Sequence, residues 1–213
     1  MKTGIIFDLD GTLLDTLEDL KDSVNYALAQ YGCPPRTLSE IRDFIGNGAR
    51  RLIQLSLPGL ESDPPVEDVL ATYQAYYADH NQVKTGPYKG IPQALEEISK
   101  RWPIAIVSNK PDIAVKPMCA SYFGGHIFAL GETADCPRKP APDMVYKGMA
   151  AIGVEKCIYV GDSEVDVITA RNAGAKCLSV LWGFRDEDVI REQGGEYFCS
   201  DPAKMVEMLE RMM

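Results

Sequence analysis

Short runs of consecutive apolar residues recur along the 213-residue chain, and segments with apolar residues at helical spacing separate most of them. Such runs are typical of strands in a parallel sheet, because the crossover helices bury the sheet on both faces. The alternation therefore predicts an α/β fold built on a parallel sheet. The predicted strands are Lys2–Leu9, Ile104–Ser108, His126–Leu130, Cys157–Gly161, Cys177–Leu181 and a weaker one at Glu196–Cys199.

One long segment interrupts this alternation. From Thr16 to about Val83 the sequence contains only helical patterns, which are divided by breakers rich in Gly and Pro. We predict about four helices in this segment, inserted after the first strand. The chain is thus expected to comprise an α/β core, residues 1–15 and 84–213, and an all-helical insertion, residues 16–83.

Polar segments stand at the ends of the predicted core strands or in the loops that follow them. Because ligands bind beyond the carboxyl ends of the strands in an open parallel sheet, we expect these segments to meet at one edge. In chain order they are Asp8-Leu9-Asp10-Gly11-Thr12, Ser108-Asn109-Lys110, Arg138-Lys139-Pro140 and Gly161-Asp162-Ser163-Glu164-Val165-Asp166.

The acidic residues of these segments predict a metal site. The carboxylates of Asp8, Asp10 and Asp162 would repel one another unless a cation joined them, and Mg²⁺ prefers oxygen ligands and pairs well with phosphate. Asp166 lies one helical turn beyond Asp162 on the same face, where it would hold metal-bound waters. Lys139 would offset the remaining negative charge and hold Asp8 against a phosphoryl group.

The second segment offers hydrogen-bond donors to a phosphate group. They are the Ser108 hydroxyl and the Asn109 backbone N–H. Each segment taken alone has a simpler explanation as a turn, a helix cap or a solvated loop charge. A calcium loop of the EF-hand type is excluded, since Leu13 stands where that loop requires Gly. The occurrence of all four segments, each at a strand end or in the next loop, favours one phosphate-handling site.

Charge and composition narrow the class of partner. The net charge of −9 and the pI near 4.8 argue against a nucleic-acid partner, which requires clustered Lys and Arg. The sequence has neither a signal-peptide pattern nor an apolar stretch long enough to span a membrane. Its six cysteines are scattered without a C-x-x-C pair, which argues against zinc and against a disulfide framework. We therefore expect a cytoplasmic protein with no membrane contact, and the patterns carry no information on its oligomeric state.

The first and fourth segments, together with Ser108 and Lys139-Pro140, resemble the four motifs of the haloacid dehalogenase superfamily. The resemblance spans nearly the whole chain, including a helical cap after the first motif. It implies a Rossmann-like core, Mg²⁺ and a phosphoryl intermediate on Asp8. It also implies that Asp10 protonates the leaving alkoxide, activates the water and offers its backbone carbonyl to the metal. The founding dehalogenases lack an Asp at this position and need no metal, so Asp10 favours phosphate chemistry. The resemblance thus assigns catalysis to Asp8, Asp10, Ser108 and Lys139, substrate binding to Gly11, Thr12 and Asn109, and metal binding to Asp8, Asp10 and Asp162.

Within the superfamily the chain is most similar to phosphoglycolate phosphatase-like enzymes. The segment Ile45-Gly46-Asn47-Gly48-Ala49-Arg50 resembles the cap loop of that group. Its glycines permit close approach to a ligand, and Arg50 would bind a carboxylate of the substrate. A plain helix–helix turn with a solvated Arg50 explains the same residues. Lys89 stands where many relatives carry Pro, a departure that leaves the core motifs untouched.

These patterns together predict a Mg²⁺-dependent phosphatase that acts on a small phosphorylated metabolite. Phosphoglycolate is one candidate substrate, and sugar phosphates, nucleoside monophosphates and pyrophosphate stay open. A phosphomutase of the β-phosphoglucomutase type shares every core motif and is the alternative among enzymes. A catalytically idle binding module of the same fold is the alternative outside enzymes, although such a module has no need for crowded carboxylates.

Overall fold

The structure is a computed structural model that describes residues 2–59 and 64–213. The chain forms two compact units: a core unit, Met1–Asp15 with Pro87–Met213, and a helical unit, Thr16–Gly86. The strands, in chain order, are β1 Thr3–Phe7, β2 Leu14–Asp15, β3 Gly86–Pro87, β4 Ile104–Pro111, β5 Phe128–Glu132, β6 Lys156–Gly161, β7 Lys176–Val180 and β8 Tyr197–Cys199.

Ten α-helices and one 3₁₀ turn are assigned in the described residues. The helical unit contains the first four helices, and the others cover the core unit. They are α1 Leu17–Gln30, α2 Leu38–Phe44, α3 Gly48–Ser56, α4 Val66–His80, α5 Ile91–Ser99, α6 Asp112–Phe123, α7 Asp143–Ala151, α8 Glu164–Asn172, α9 Glu187–Glu192 and α10 Met205–Met212, with the 3₁₀ turn at Pro202–Lys204.

The core unit contains a six-stranded sheet in the order β5-β4-β1-β6-β7-β8, in which every neighbouring pair is parallel. The predicted α/β fold with a parallel sheet is confirmed. The strand boundaries differ from the sequence prediction by about one to three residues, and the differences are largest in β4 and β5. Strand β4 continues past Ser108 to Pro111, where after an irregularity in the register it pairs with Glu132. Strand β5 begins at Phe128 and not at His126.

Both faces of the sheet are buried, which explains why its strands are continuous apolar runs. The side chains of Ile5 and Phe7 belong to a cluster that includes residues of α5, α6 and α10. The intervening Ile6 belongs to a second cluster with Met144 and Val145 of α7. Side chains alternate between the faces of a strand, so a strand covered on both sides must be apolar at every position. Each such side chain contributes about 1.5–3 kcal/mol through its burial.

The helical unit has a hydrophobic core of its own, as the helical spacing of its apolar residues predicts. Val24 and Leu28 of α1 pack in one cluster with Val69, Tyr73 and Tyr77 of α4. The four predicted helices are present as α1 to α4, and they follow β1 and β2 along the chain. In the part of the chain that the structure describes, no helix combines the length and the apolar character that a membrane crossing demands.

Candidate active site

Three adjacent strands, β1, β4 and β6, deliver polar side chains to one edge of the core sheet, the edge formed by the carboxyl ends of the strands. Phe7, the last residue of β1, pairs with Ile106 of β4 on one side and with Val160 of β6 on the other. Because the strands run parallel, the residues that follow these pairs emerge together. Asp8 comes directly after β1, and Asp162 directly after β6.

A cluster of three buried carboxylates occupies this edge. One carboxylate oxygen from each of Asp8, Asp162 and Asp166 lies within 4.8 Å of the other two. Burial raises the pKa of Asp8 well above its ordinary value, and the neighbouring carboxylates raise it further against the opposing effect of Lys139. Burial and the charge of Asp166 raise the pKa of Asp162 to about 7. Such a cluster is costly unless cations neutralise it.

Lys139 is the lysine of this edge that contacts the carboxylate cluster. Its Nζ lies 2.7 Å from Asp8 Oδ1 and 2.8 Å from Asp166 Oδ1, and it donates to the Tyr159 hydroxyl at 3.1 Å. Burial works to lower the pKa of Lys139, but the charges of Asp166 and Asp8 outweigh it and hold that pKa above its ordinary value. The ammonium group is thus charged and fixed against Asp8.

The oxygens of Asp166 are already occupied by donors. Its Oδ2 accepts from the backbone N–H of Asp162, and from both the backbone N–H and the hydroxyl of Ser163, at 2.6–3.1 Å. Its Oδ1 accepts from Lys139 and Tyr159. Asp166 therefore holds the loop after β6 and the Lys139 ammonium in place. Its oxygens also lie close enough to Asp8 and Asp162 for the three carboxylates to share one cation.

Asp162 is held differently, because among the described residues each of its oxygens accepts one hydrogen bond. Oδ1 accepts from the Thr12 hydroxyl at 3.0 Å, and Oδ2 accepts from the backbone N–H of Phe184 at 2.7 Å. Each oxygen retains a lone pair for a cation. Asp8 and Asp162 thus fit a divalent cation that prefers oxygen ligands, because their hard oxygens carry more negative charge than Lys139 alone offsets.

Two glycines allow this close approach to Asp162. Gly11 has a φ of +82°, and a Cβ there would lie 2.3 Å from Asp162 Oδ2. A Cβ on Gly183, in the loop after β7, would lie 2.3 Å from Asp162 Cβ. In the same loop the indole of Trp182 donates to the Thr12 carbonyl at 3.0 Å. This loop was not predicted, because its only signal in the sequence is a Trp-Gly-Phe run after a strand.

The carboxylate of Asp10 lies outside the cluster of three. Both of its oxygens accept from Lys110 Nζ, at 2.8 and 3.0 Å. The Lys110 side chain is 3% exposed. The sequence pattern assigns Lys110 no role, because the preceding Ser108-Asn109 is typical of the start of a turn, whereas in the structure β4 continues through Lys110.

Ser108 and Asn109 are both buried in the second half of β4. The Ser108 hydroxyl accepts from the Lys110 backbone N–H at 3.2 Å. The Asn109 side chain accepts from the backbone N–H of Lys139 at 2.8 Å and donates to its carbonyl at 3.0 Å. Asn109 therefore ties the loop that carries Lys139 to β4, a function that the sequence pattern does not reveal.

Arg50 is the predicted site residue that belongs to the helical unit. It lies on α3, and its Nε donates to Glu67 Oε1 of α4 at 2.7 Å. Both side chains are more than half exposed, at 58% and 63%. The guanidinium group is thus accessible and held by an exposed ion pair.

Comparison with known proteins places this geometry in a family. The profile of the haloacid dehalogenase-like hydrolases matches residues 5–180. The chain is 34% identical over 199 residues to "Phosphoglycolate phosphatase 1" of Pseudomonas aeruginosa. The aligned segment covers 89% of this chain and 73% of that protein. It is 35% identical over 192 residues to a phosphoglycolate phosphatase of Cereibacter sphaeroides, covering 87% and 88% respectively.

Solved structures show the same fold. A candidate phosphoglycolate phosphatase from Lactobacillus delbrueckii subsp. bulgaricus superimposes with a TM-score of 0.90 at 36% identity, over 97% of this chain and 98% of that one. A second, from Haemophilus somnus, gives a TM-score of 0.86 at 25% identity, over 98% of each chain.

Proposed function

Because the chain belongs to the haloacid dehalogenase-like hydrolases and is an enzyme of their phosphatase type, we propose that it hydrolyses a small phosphate monoester through a phosphoryl group carried on Asp8. The observation that carries the proposal is the position of the Asp8 carboxylate. It stands directly after β1, 2.7 Å from Lys139 Nζ and beside the carboxylate of Asp162.

The first half-reaction transfers the phosphoryl group to the protein. A carboxylate oxygen of Asp8 attacks phosphorus, the bond between phosphorus and the ester oxygen breaks, and that oxygen takes a proton from the Asp10 carboxyl group. The alcohol then leaves. Lys139 holds Asp8 in place for this attack, and its ammonium opposes part of the effect of burial on the pKa of Asp8.

The second half-reaction restores the enzyme. A water molecule attacks phosphorus of the aspartyl phosphate and loses a proton to the Asp10 carboxylate, and the bond between phosphorus and Asp8 breaks. The net change is monoester plus water to alcohol plus inorganic phosphate. The Ser108 hydroxyl and the Asn109 backbone N–H are the groups of the core unit that we propose as donors to the phosphoryl oxygens. The backbone N–H groups of Gly11 and Thr12 donate to the carbonyls of Leu14 and Leu9 at 2.8 and 3.3 Å, so we propose that these two residues shape the turn beside the substrate.

Asp8, Asp162 and the backbone carbonyl of Asp10 would hold Mg²⁺ at this edge. When bound, the ion would supply positive charge to the phosphoryl oxygens, which would make phosphorus easier to attack. Asp166 keeps the loop after β6 in the conformation that presents Asp162.

Phosphoglycolate is the substrate we propose. Relatives at 34% and 35% identity carry the name phosphoglycolate phosphatase. The accessible guanidinium of Arg50 is suited to the carboxylate that distinguishes phosphoglycolate from a simple alkyl phosphate.

The test is phosphate release by the purified protein from a panel containing phosphoglycolate, a sugar phosphate, a nucleoside monophosphate and pyrophosphate, with and without Mg²⁺. We expect Mg²⁺-dependent release with the highest kcat/KM on phosphoglycolate. Preference for another monoester would overturn phosphoglycolate as the substrate but would not contradict phosphoryl transfer to Asp8. Formation of a sugar-phosphate isomer without phosphate release would indicate the mutase, and no turnover of any substrate would contradict an enzyme of this type.

A further inference from the structure

Lys110 is a buried cation to which neither the family motifs nor the mechanism above gives a role. Its side chain is 3% exposed, and removing an ammonium group from water is costly unless it is paired. Its Nζ donates to both oxygens of Asp10 at 2.8 and 3.0 Å. The contact is therefore a buried ion pair between the acid–base residue and a neighbouring strand.

The order of the strands shows on which side of β1 this ion pair lies. Strand β1, which leads to Asp10, lies between β4 and β6. Lys110 comes from β4, on one side, whereas Asp162 and Asp166 follow β6, on the other side. A carboxylate bound to Lys110 is thus turned away from the acidic cluster, and the groups that meet one another at 4.8 Å or less are Asp8, Asp162 and Asp166 without Asp10.

We propose that Lys110 is a positioning residue that holds the Asp10 carboxylate on the β4 side, away from the metal-binding cluster, in the orientation from which it exchanges protons with the leaving group and with water. Without this partner the carboxylate is free to turn toward the cation or toward Lys139. The inference rests on the proposed function, because it requires Asp10 to transfer protons.

The ionised form of Asp10, which pairs with Lys110, occurs in the proposed reaction cycle. Asp10 becomes a carboxylate when its proton passes to the ester oxygen, and it stays one until it takes a proton from the attacking water. Removal of Lys110 should let the Asp10 side chain leave this position and so slow proton donation to the ester oxygen, which matters most when the leaving group is strongly basic.

Phenyl phosphate and 4-nitrophenyl phosphate form a matched pair of substrates for the test. They share the ring, but nitrophenolate leaves with little need of a proton. We expect Lys110→Met to lower kcat/KM for phenyl phosphate about 10²-fold and for 4-nitrophenyl phosphate less than about fivefold. Lys110→Arg, which keeps the charge, should recover most of the loss. Lys116→Met is the control, because Lys116 forms an exposed ion pair with Asp112 in the same unit, and it should change neither value.

A double-variant comparison tests whether Lys110 acts through Asp10. In an Asp10→Asn background, Lys110→Met should cost less than about threefold on phenyl phosphate, because the carboxylate it positions is gone. This comparison also serves if Lys110→Met alone fails to fold, since the double variant leaves no buried charge unpaired. Melting temperatures verify that each variant is folded.

Equal losses on the two substrates, or a full loss in the Asp10→Asn background, would overturn the role of Lys110. Asp8→Asn separates this outcome from a failure of the proposed function. If Asp8→Asn abolishes turnover, the phosphoryl-transfer chemistry stands and the result bears on Lys110 alone. If Asp8→Asn retains turnover, the proposed function fails, and the proposal for Lys110 fails with it.

Discussion

Two buried aspartates, Asp8 in the core unit and Asp19 in the helical unit, illustrate how differently the chain uses a carboxylate. Asp19 is 3% exposed and accepts hydrogen bonds from the backbone N–H groups of Val83, Lys84 and Thr85, at 2.9–3.0 Å. Backbone donors satisfy this charge, so Asp19 stabilises the local structure.

Asp8 is buried to a similar degree, but its surroundings oppose its charge. Two other carboxylates lie beside it, burial raises its pKa, and Lys139 offsets only part of the effect. Burial alone therefore does not identify a reactive carboxylate, whereas the groups around it do. A carboxylate surrounded by hydrogen-bond donors stabilises the fold. A carboxylate crowded by other carboxylates costs stability and is suited to binding a cation and phosphate.

The largest effect should come from Asp8→Asn. This change removes the nucleophile and should lower kcat by about 10⁴-fold or more, while circular dichroism shows an unchanged fold. Asp19→Ala is the matched control, and folded Asp19→Ala should keep its activity within about tenfold. Activity of Asp8→Asn within about tenfold of the original protein would remove Asp8 from the role of nucleophile.

Metal removal should have the next largest effect. Activity should fall below about 1% in excess EDTA and return with Mg²⁺, because the carboxylate cluster needs a cation to bind a phosphate group. Ca²⁺ should inhibit, since its larger and more flexible coordination misplaces the phosphoryl oxygens. Steady-state phosphate release measures all three conditions, and full activity in excess chelator would contradict a metal site.

Asp19→Ala should affect stability. The loss of hydrogen bonds from three backbone N–H groups to a charged acceptor should lower the free energy of unfolding by about 3 kcal/mol. Urea denaturation followed by circular dichroism measures this value. A change below about 0.5 kcal/mol would mean that the Asp19 contacts are not stabilising, and the contrast with Asp8 would be lost.

Arg50→Ala should give a smaller, substrate-selective effect. If Arg50 binds the carboxylate of phosphoglycolate, its removal should cost about 1.5–3 kcal/mol in kcat/KM for that substrate and little for an aryl phosphate. Glu67→Gln releases Arg50 from its exposed ion pair and should change the free energy of unfolding by less than about 1 kcal/mol. Equal losses on both substrates would assign Arg50 to the fold of the helical unit, and no loss on either would make it a solvated surface residue.

Much of the fold follows from the sequence, because each strand of the core sheet is a local apolar run and each strand end has its own polar residues. The rule that ligands bind at the carboxyl ends of parallel strands then predicted that Asp8 and Asp162 would lie together. The short strands β2 and β3 were missed, since two residues are too few to show a pattern.

The pairing of side chains within the site could not be predicted in the same way. That Lys110 contacts Asp10, and that Asn109 binds the backbone of Lys139, depends on the register of β1 against β4 and on the path of a distant loop. The Trp182–Phe184 loop supports Asp162 by a backbone N–H, which any residue would supply. Sequence patterns mark the ends of elements, whereas these contacts arise from their packing.

The most direct test of the central claim is to trap the phosphoryl group on the protein. The enzyme is mixed with Mg²⁺ and a phosphate monoester, quenched in acid within milliseconds, digested and analysed by mass spectrometry. The account predicts a phosphorylated peptide containing Asp8, which appears before steady state and is absent from Asp8→Asn. A burst of product without any phosphopeptide, or a phosphoryl group on another residue, would contradict the account.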